Sequence, residues 1–287
     1  MTFNEYALAH EPMIRLAAFF GIFSLMAIWE IVAPRRSRLH SRARRWTANL
    51  GLVVFNTVLV RLVFPFAAVA FATLAAQRGW GLLNNVDLPG WLALVLAVVV
   101  MDFAIWLQHV MVHAVPVLWR LHQVHHADPD YDMTTGARFH PLEIILSMLI
   151  KFSVIAVLGA PAAAVLVFEV LLNATAMFNH GNVKLPAGVD GPLRLLLVTP
   201  DMHRVHHSTD KAEANSNFGF NLSVWDRLFG TYRPAARLPQ ESMDIGVAGL
   251  TGDPRCVSLT GMLAIPFVNP GEDYAIGHGP EASHEAR

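Results

Sequence analysis

The sequence is poor in charge and almost without cysteine. Only 15% of its 287 residues are Asp, Glu, Lys or Arg, against about 25% in a typical soluble domain. The single cysteine, Cys256, excludes an intrachain disulfide and a thiolate-bound metal cluster. There is no HExxH, which withdraws support from a zincin-type protease, and no GxSxG or phosphate-binding glycine loop. The amino terminus lacks a basic n-region and a small-residue cleavage site, so its first apolar run reads as a retained span. A net charge of -1 gives no indication of a nucleic-acid partner. What is abundant is apolar residues, at 54%, with a mean hydropathy of +0.42, and histidine, of which there are fourteen. The balance points to an integral membrane protein.

A bilayer core takes about 20 apolar residues as helix. Met13–Ala33 fits, as does Thr47–Ala76, interrupted by Arg61 and Pro65 and therefore expected to kink. Trp91–His113 is a third span, and Leu142–Leu158 and Ala162–Phe178 form a helical hairpin split by Gly159–Pro161. After Lys184 the chain is polar. Residues 255–268 are apolar but short and are expected to break at Pro266, which suits an interfacial segment, and the tail from Gly271 reads as disordered. The loop Arg35–Arg45 is dense in arginine, and such loops stay cytoplasmic. The expected fold is therefore an all-α polytopic bundle of about five spans with a cytoplasmic helical cap and the amino terminus outside. Its expected divisions are 1–90 (helices and arginine loop), 91–234 (catalytic part) and 235–287 (tail). Alanine- and arginine-rich composition suggests a bacterium, hence an inner membrane.

On this topology the scattered histidines meet on one side. His109 and His113, four apart, share a helix face. "RLHQVHH" supplies His122, His125 and His126, and "DMHRVHH" repeats the pattern with His203, His206 and His207. Imidazole is the commonest metal ligand, and near lipid it is costly unless paired. His180, in "FNHGN", lies on a stripe with Glu169, Asn173 and Ala176 that is expected to face a polar interior. These nine imidazoles exceed the four of a tetrahedral zinc and suit two metal ions. His140, in "RFHPLE", can be a ligand, a donor behind the ligands or the residue that starts a helix. Asp102 can orient His109 or balance Arg61. Glu143 can serve the site or simply favour its own helix N-terminus. His10, His40, His278 and His284 stand outside the pattern.

In this order "WLQHVMVH", "RLHQVHH", "RFHPLE", "FNHGN", "MHRVHHS" and "NSNFGFNLSVWDRLFGTY" resemble the fatty acid hydroxylase and sterol desaturase superfamily, over about Met101 to Pro234. The resemblance implies a membrane enzyme with two iron ions that uses O2 and two electrons to hydroxylate, desaturate or oxidatively cleave a lipid. It places His109, His113, His122, His125, His126, His203, His206 and His207 in the three boxes and His180 between the second and third; Asp102 and His140, read from their own positions, are the candidate catalytic groups. Where some members read HxxxH around His180, this chain has Ala176. With no HPGG haem motif and one cysteine, the expected electron donor is a separate protein of the ferredoxin or cytochrome b5 type. A zinc-dependent lipid hydrolase would leave most of the boxes unexplained. A metal transporter should place its ligands near mid-membrane.

Overall fold

The computed structural model describes residues 3–269, 271 and 274–276. His278, His284 and most of the tail from Gly271 lie outside the described residues. The fold is all-helical. A short α1 (Phe3–Ala9) leads into α2 (Glu11–Val32), and α3 (Arg42–Val63) is followed by α4 (Ala68–Gln77). Then come α5 (Gly90–Ala114), α6 (Pro116–His126) and the hairpin α7 (Pro141–Leu158) and α8 (Ala162–Asn179). Short helices make up the rest: α9 (Ala187–Leu193), α10 (Pro200–His206), α11 (Lys211–Ala214), α12 (Val224–Leu228) and α13 (Leu259–Val268).

Five segments are long and apolar enough to cross a membrane: α2, α3 with α4, α5, α7 and α8. Half of the apolar window of α8 is buried, against 11% of that of α2, so α8 is the hub and α2 an outer strut. Leu16, Phe20, Leu25 and Ile28 of α2 are all more than half exposed, as lipid-facing side chains should be. Lipid offers no hydrophobic drive for helices to associate, so close approach through small residues does that work. Ala72, Ala75, Ala97 and Ala164 are fully buried where α4, α5 and α8 meet.

Pro65 does more than kink its span. Helix α3 ends at Val63, Phe64 is extended, and α4 starts afresh at Ala68. At the hairpin, Gly159 caps α7 in the left-handed region (φ 72°). A Cβ there would lie 2.9 Å from the Trp80 carbonyl and the Asn84 side chain, so only glycine lets the turn seat on the 80–84 loop. Pro266 does not end α13, which runs on to Val268. The proline falls in the last turn, where it removes a single backbone hydrogen bond. This helix buries Met262 and Ile265 against Trp119, Leu52 and Val124, so the segment is part of the cap's core.

The arginine-rich 35–45 segment packs on the histidine-bearing end. The Arg35 amide donates to the Asn182 carbonyl, and the Arg36 amide to Asn182 Oδ1. The 80–87 loop belongs to the opposite end of α4 and α5. With the buried Cys256 as background, a membrane-impermeant maleimide added outside whole cells should label Asp87→Cys and spare Ser37→Cys. The reverse pattern would invert the orientation.

Candidate metal centre

All nine patterned imidazoles converge, and they do so in two groups. His109, His113, His122, His126 and His206 form one, and His125, His180, His203 and His207 the other. Within each group one ring nitrogen per residue lies within 4.8 Å of every other. None of the nine is more than 5% exposed.

The helical period explains the repeated sequence pattern. In α6, His122 and His126 are one turn apart and join the first group, while His125 points to the second. In α10 the roles are exchanged: His203 and His207 join the second group, and His206 the first. Each HxxHH therefore gives an i,i+4 pair to one site and a single ring to the other. The HxxxH of α5 adds a further i,i+4 pair to the first site, and His180, at the end of α8, completes the second.

Hydrogen bonds fix which nitrogen is free. Nδ1 of His109 donates to the Phe218 carbonyl, that of His206 to the Ser216 carbonyl and that of His180 to the Ala176 carbonyl, each at 2.8 Å. His122 Nδ1 lies 2.7 Å from Glu143 Oε1, and His113 Nδ1 is 3.1 Å from Asn215 Oδ1. A ring that donates through Nδ1 carries its lone pair on Nε2, the arrangement found in metal-bound histidines. The Nε2 atoms of His109, His122 and His206 are buried without a hydrogen-bond partner. His180 Nε2 faces Nε2 of both His125 and His203 at 3.2 Å. Buried polar atoms without partners are rare, and lone pairs turned on one another repel unless a cation lies among them. The residues therefore fit metal ions at both groups.

The electrostatics agree. Burial, reinforced by neighbouring imidazoles, lowers the pKa of His125, His126, His203, His206 and His207 well below the usual value. Burial likewise pushes His180 down to about 3. In these six rings burial thus favours the neutral form that a metal ligand needs.

Several supports were not legible in the sequence. The stretch Asn215–Phe218 supplies partners to three rings of the five-histidine group. It is pinned by Asp226, which accepts from the amides of Phe218 and Gly219 and from Trp106 Nε1. Gly136 sits so close to α8 that a Cβ would be 2.5 Å from the Ala176 carbonyl and 3.0 Å from His180 Nδ1. Beneath the second box, Arg45 is fully buried between Asp128 and Asp132, and Arg204 bonds Asp201 and the Gly181 carbonyl. The run "DPDYDM" after the second box, with three alternating acids, was the available signal. The arginines of 35–45 are thus not all loop charge.

Two candidate catalytic residues stand elsewhere than expected. Asp102 accepts from Trp225 Nε1 (2.8 Å) and the Leu222 amide, and contacts neither His109 nor Arg61. Seven residues of helix are about 10 Å, too far for its carboxylate to reach the His109 ring. His140 belongs to neither histidine group; its Nδ1 accepts from the Leu142 amide at the start of α7. That bond is the one a helix-starting residue makes, and it leaves the ring outside both histidine groups. His10 and His40 also lie apart, on the Tyr6 carbonyl and Asp130.

Glu143 serves the site, through His122. Glu143→Gln should keep the ring in place but weaken its basicity, with a loss of about 10–100-fold in metal affinity or turnover. Metal retention during dialysis against a chelator reads this directly; unchanged retention would assign Glu143 to its helix alone.

A cavity of about 730 Å³ leads from the first group into the membrane-spanning helices. His109, His122, Glu143, Phe139 and Gly136 line one end. Val53, Val60, Ile144, Met148 and Leu172 line its course. Glu169, Asn173 and Ala176, the stripe that leads to His180, also face it.

Comparison with known proteins gives a consistent picture. Residues 94–231 match the family described as fatty acid hydroxylase. The chain is 32% identical over 187 residues to an ornithine lipid hydroxylase of Rhizobium tropici, covering 65% of this chain and 54% of that one. It is 33% identical over 131 residues to the human alkylglycerol monooxygenase, covering 46% of this chain and 28% of the relative. Human cholesterol 25-hydroxylase is 23% identical over 222 residues, with 76% and 79% covered. The chain thus spans about half the length of the first relative and under a third of the second. No solved structure matches it.

Proposed function

The chain carries a fatty acid hydroxylase domain over residues 94–231, and from that premise we propose that it is a membrane-bound lipid hydroxylase with two iron ions. The observation that carries the reading is the pair of all-histidine groups at the end of a lipid-sized apolar cavity. His109, His113, His122, His126 and His206 would hold one ion, and His125, His180, His203 and His207 the other. Bound iron supplies what no side chain can, the activation of O2 to place one oxygen atom in an unactivated C–H bond while two electrons and two protons carry the other to water. The apolar walls take an acyl, sterol or related chain from the bilayer and keep water from the reacting carbon. His109 and His122 border both the cavity and the five-histidine group, so a chain filling the cavity ends against them. Glu143 orients His122 through Oε1 and keeps Oε2 free of partners beside the cavity.

Hydroxylation is favoured over desaturation because the relatives are named as hydroxylases and monooxygenases. The first of them is bacterial; a bacterial inner membrane, with the cap in the cytoplasm and a ferredoxin or cytochrome b5-type donor, completes the reading. Purified protein should contain two irons per chain and consume O2 only with a reductant. Lipid extracts of expressing cells should show species 16 mass units heavier. One zinc and no iron would favour a hydrolase and defeat the proposal, as would an unchanged lipid profile with iron in place.

A further inference from the structure

The far end of the cavity holds an ionic cluster inside helices otherwise apolar enough to span a membrane. Arg15 of α2 bonds Glu11 at 2.9 Å and Glu169 of α8 at 2.5 Å. Lys151 of α7 bonds the other Glu169 oxygen at 2.5 Å. Arg61 of α3 lines the same cavity and makes no hydrogen bond or ion pair among the described residues. Three cations and two carboxylates thus line one cavity, and Arg61, which is exposed, is the unpaired cation. An ionised side chain within a span is costly and as a rule faces a partner or an aqueous path. Lys151 and Glu169 each sit eleven residues along their helices from the histidine end, His140 for α7 and His180 for α8. At about 1.5 Å per residue this places the Lys151–Glu169 pair ~16 Å along their helices from the histidine end, whereas Arg61 lies five residues of α3 beyond Asn56, which bonds the Phe139 carbonyl.

We propose that Arg61, with Lys151 and Arg15 behind it, receives the anionic end group of the lipid in the cavity, a carboxylate or a phosphate. The inference rests on the hydroxylase reading and names the substrate class of that site. The excess cation gives the end group its counter-charge. Glu169 holds Arg15 and Lys151 in place and offsets the repulsion between them. With one end of the lipid tethered, the separation of tether and metal groups decides which carbon meets His109 and His122. The cluster then determines regioselectivity without touching the reacting atoms.

The test is equilibrium binding to the metal-loaded full chain in a neutral maltoside detergent, without O2 or reductant. Radiolabelled palmitic acid is compared with methyl palmitate, and lysophosphatidic acid with monoacylglycerol. The charged member of one pair should bind about 10-fold or more tightly, as a charge-assisted hydrogen bond gives. Preference within the first pair assigns a carboxylate, and within the second a phosphate. Arg61→Gln should abolish that preference; since Arg61 bonds nothing in the protein, the variant should fold and keep its metal. Equal binding within both pairs, or a preference that survives Arg61→Gln, overturns the proposal. Because no turnover is read, a chain that prefers the anion but never hydroxylates would fail the function and keep this inference.

Discussion

His206→Ala protein is expected to insert in the membrane, lose at least half of its iron and show no measurable lipid oxidation. His206 is the one ligand that α10 gives to the five-histidine group, and its Nδ1 is held by the Ser216 carbonyl. Removing the ring leaves four imidazoles for that ion, two from α5 and two from α6, and opens a coordination position facing α10. No neighbour can fill it, because His203 and His207 belong to the other group and sit on the other face of the same turn. His125→Ala should empty the four-histidine group in the same way, since α6 gives it only that ring. The spans should form in both variants, because their helices are built from apolar length rather than from the metals. Iron analysis, membrane fractionation and product mass spectrometry on the same preparations separate these effects. His10→Ala is the control, remote from both groups and bonded to the Tyr6 carbonyl. Full activity and two irons in His206→Ala would defeat the assignment of the first site.

The second large effect is expected at a residue that touches no metal. Arg45→Met should destabilise the protein by about 3–5 kcal/mol, because it strands carboxylates that have almost no exposure to water. Arg45 bonds Asp128 through Nε (2.9 Å) and Nη2 (2.7 Å) and Asp132 through Nη1 (2.5 Å). Asp128 also accepts from Thr135 Oγ1 and Asn49 Nδ2. A loss of this size is a large part of the 5–15 kcal/mol that holds a typical domain. The iron should go with it, since Asp128 follows His126 by two residues and anchors the chain leaving the second box. Thermal unfolding in detergent gives the first quantity and metal analysis the second. Arg45→Met combined with Asp128→Asn should recover part of the stability, as fewer charges are left unpaired; no recovery would assign the loss to packing alone. Burial raises the Asp128 carboxyl, but Arg45 and Arg138 outweigh it and hold the group well below the usual range. A carboxyl so depressed contributes stability that is present above its unfolded pKa of about 3.9 and is lost only as pH falls through the lower folded value. Mild acid therefore should not imitate Arg45→Met.

What the sequence carried and what it did not follow from the range of each interaction. Apolar length is local, so the five spans and the hairpin at Gly159–Pro161 could be read directly. Imidazole spacing is local too, so the nine rings could be chosen from fourteen. The division of each HxxHH between two sites is a property of how α5, α6, α8 and α10 pack, and no spacing rule contains it. Asp102 shares a face with His109, but the face is not the partner: Trp225, more than a hundred residues away, takes the carboxylate. His140 was open between chemistry and helix start, and its ring nitrogen went to the Leu142 amide. Arg45 looked like the rest of its basic run because burial is decided by Asp128 and Asp132, over eighty residues downstream.

The unequal share of each helix in the two histidine groups also sets an order in time. A chain emerging from the ribosome has four of the five rings of the first group once residue 126 is out, all on the contiguous pair α5 and α6. At that moment the second group has His125 alone, and its other three rings arrive only with residues 180–207. On the proposed two-ion reading, a half-made protein can already capture the first ion, while the second must wait for the hairpin to insert and for α10 to fold back beneath it. Metal starvation late in synthesis would then leave a population of chains holding one ion, not a mixture of full and empty ones.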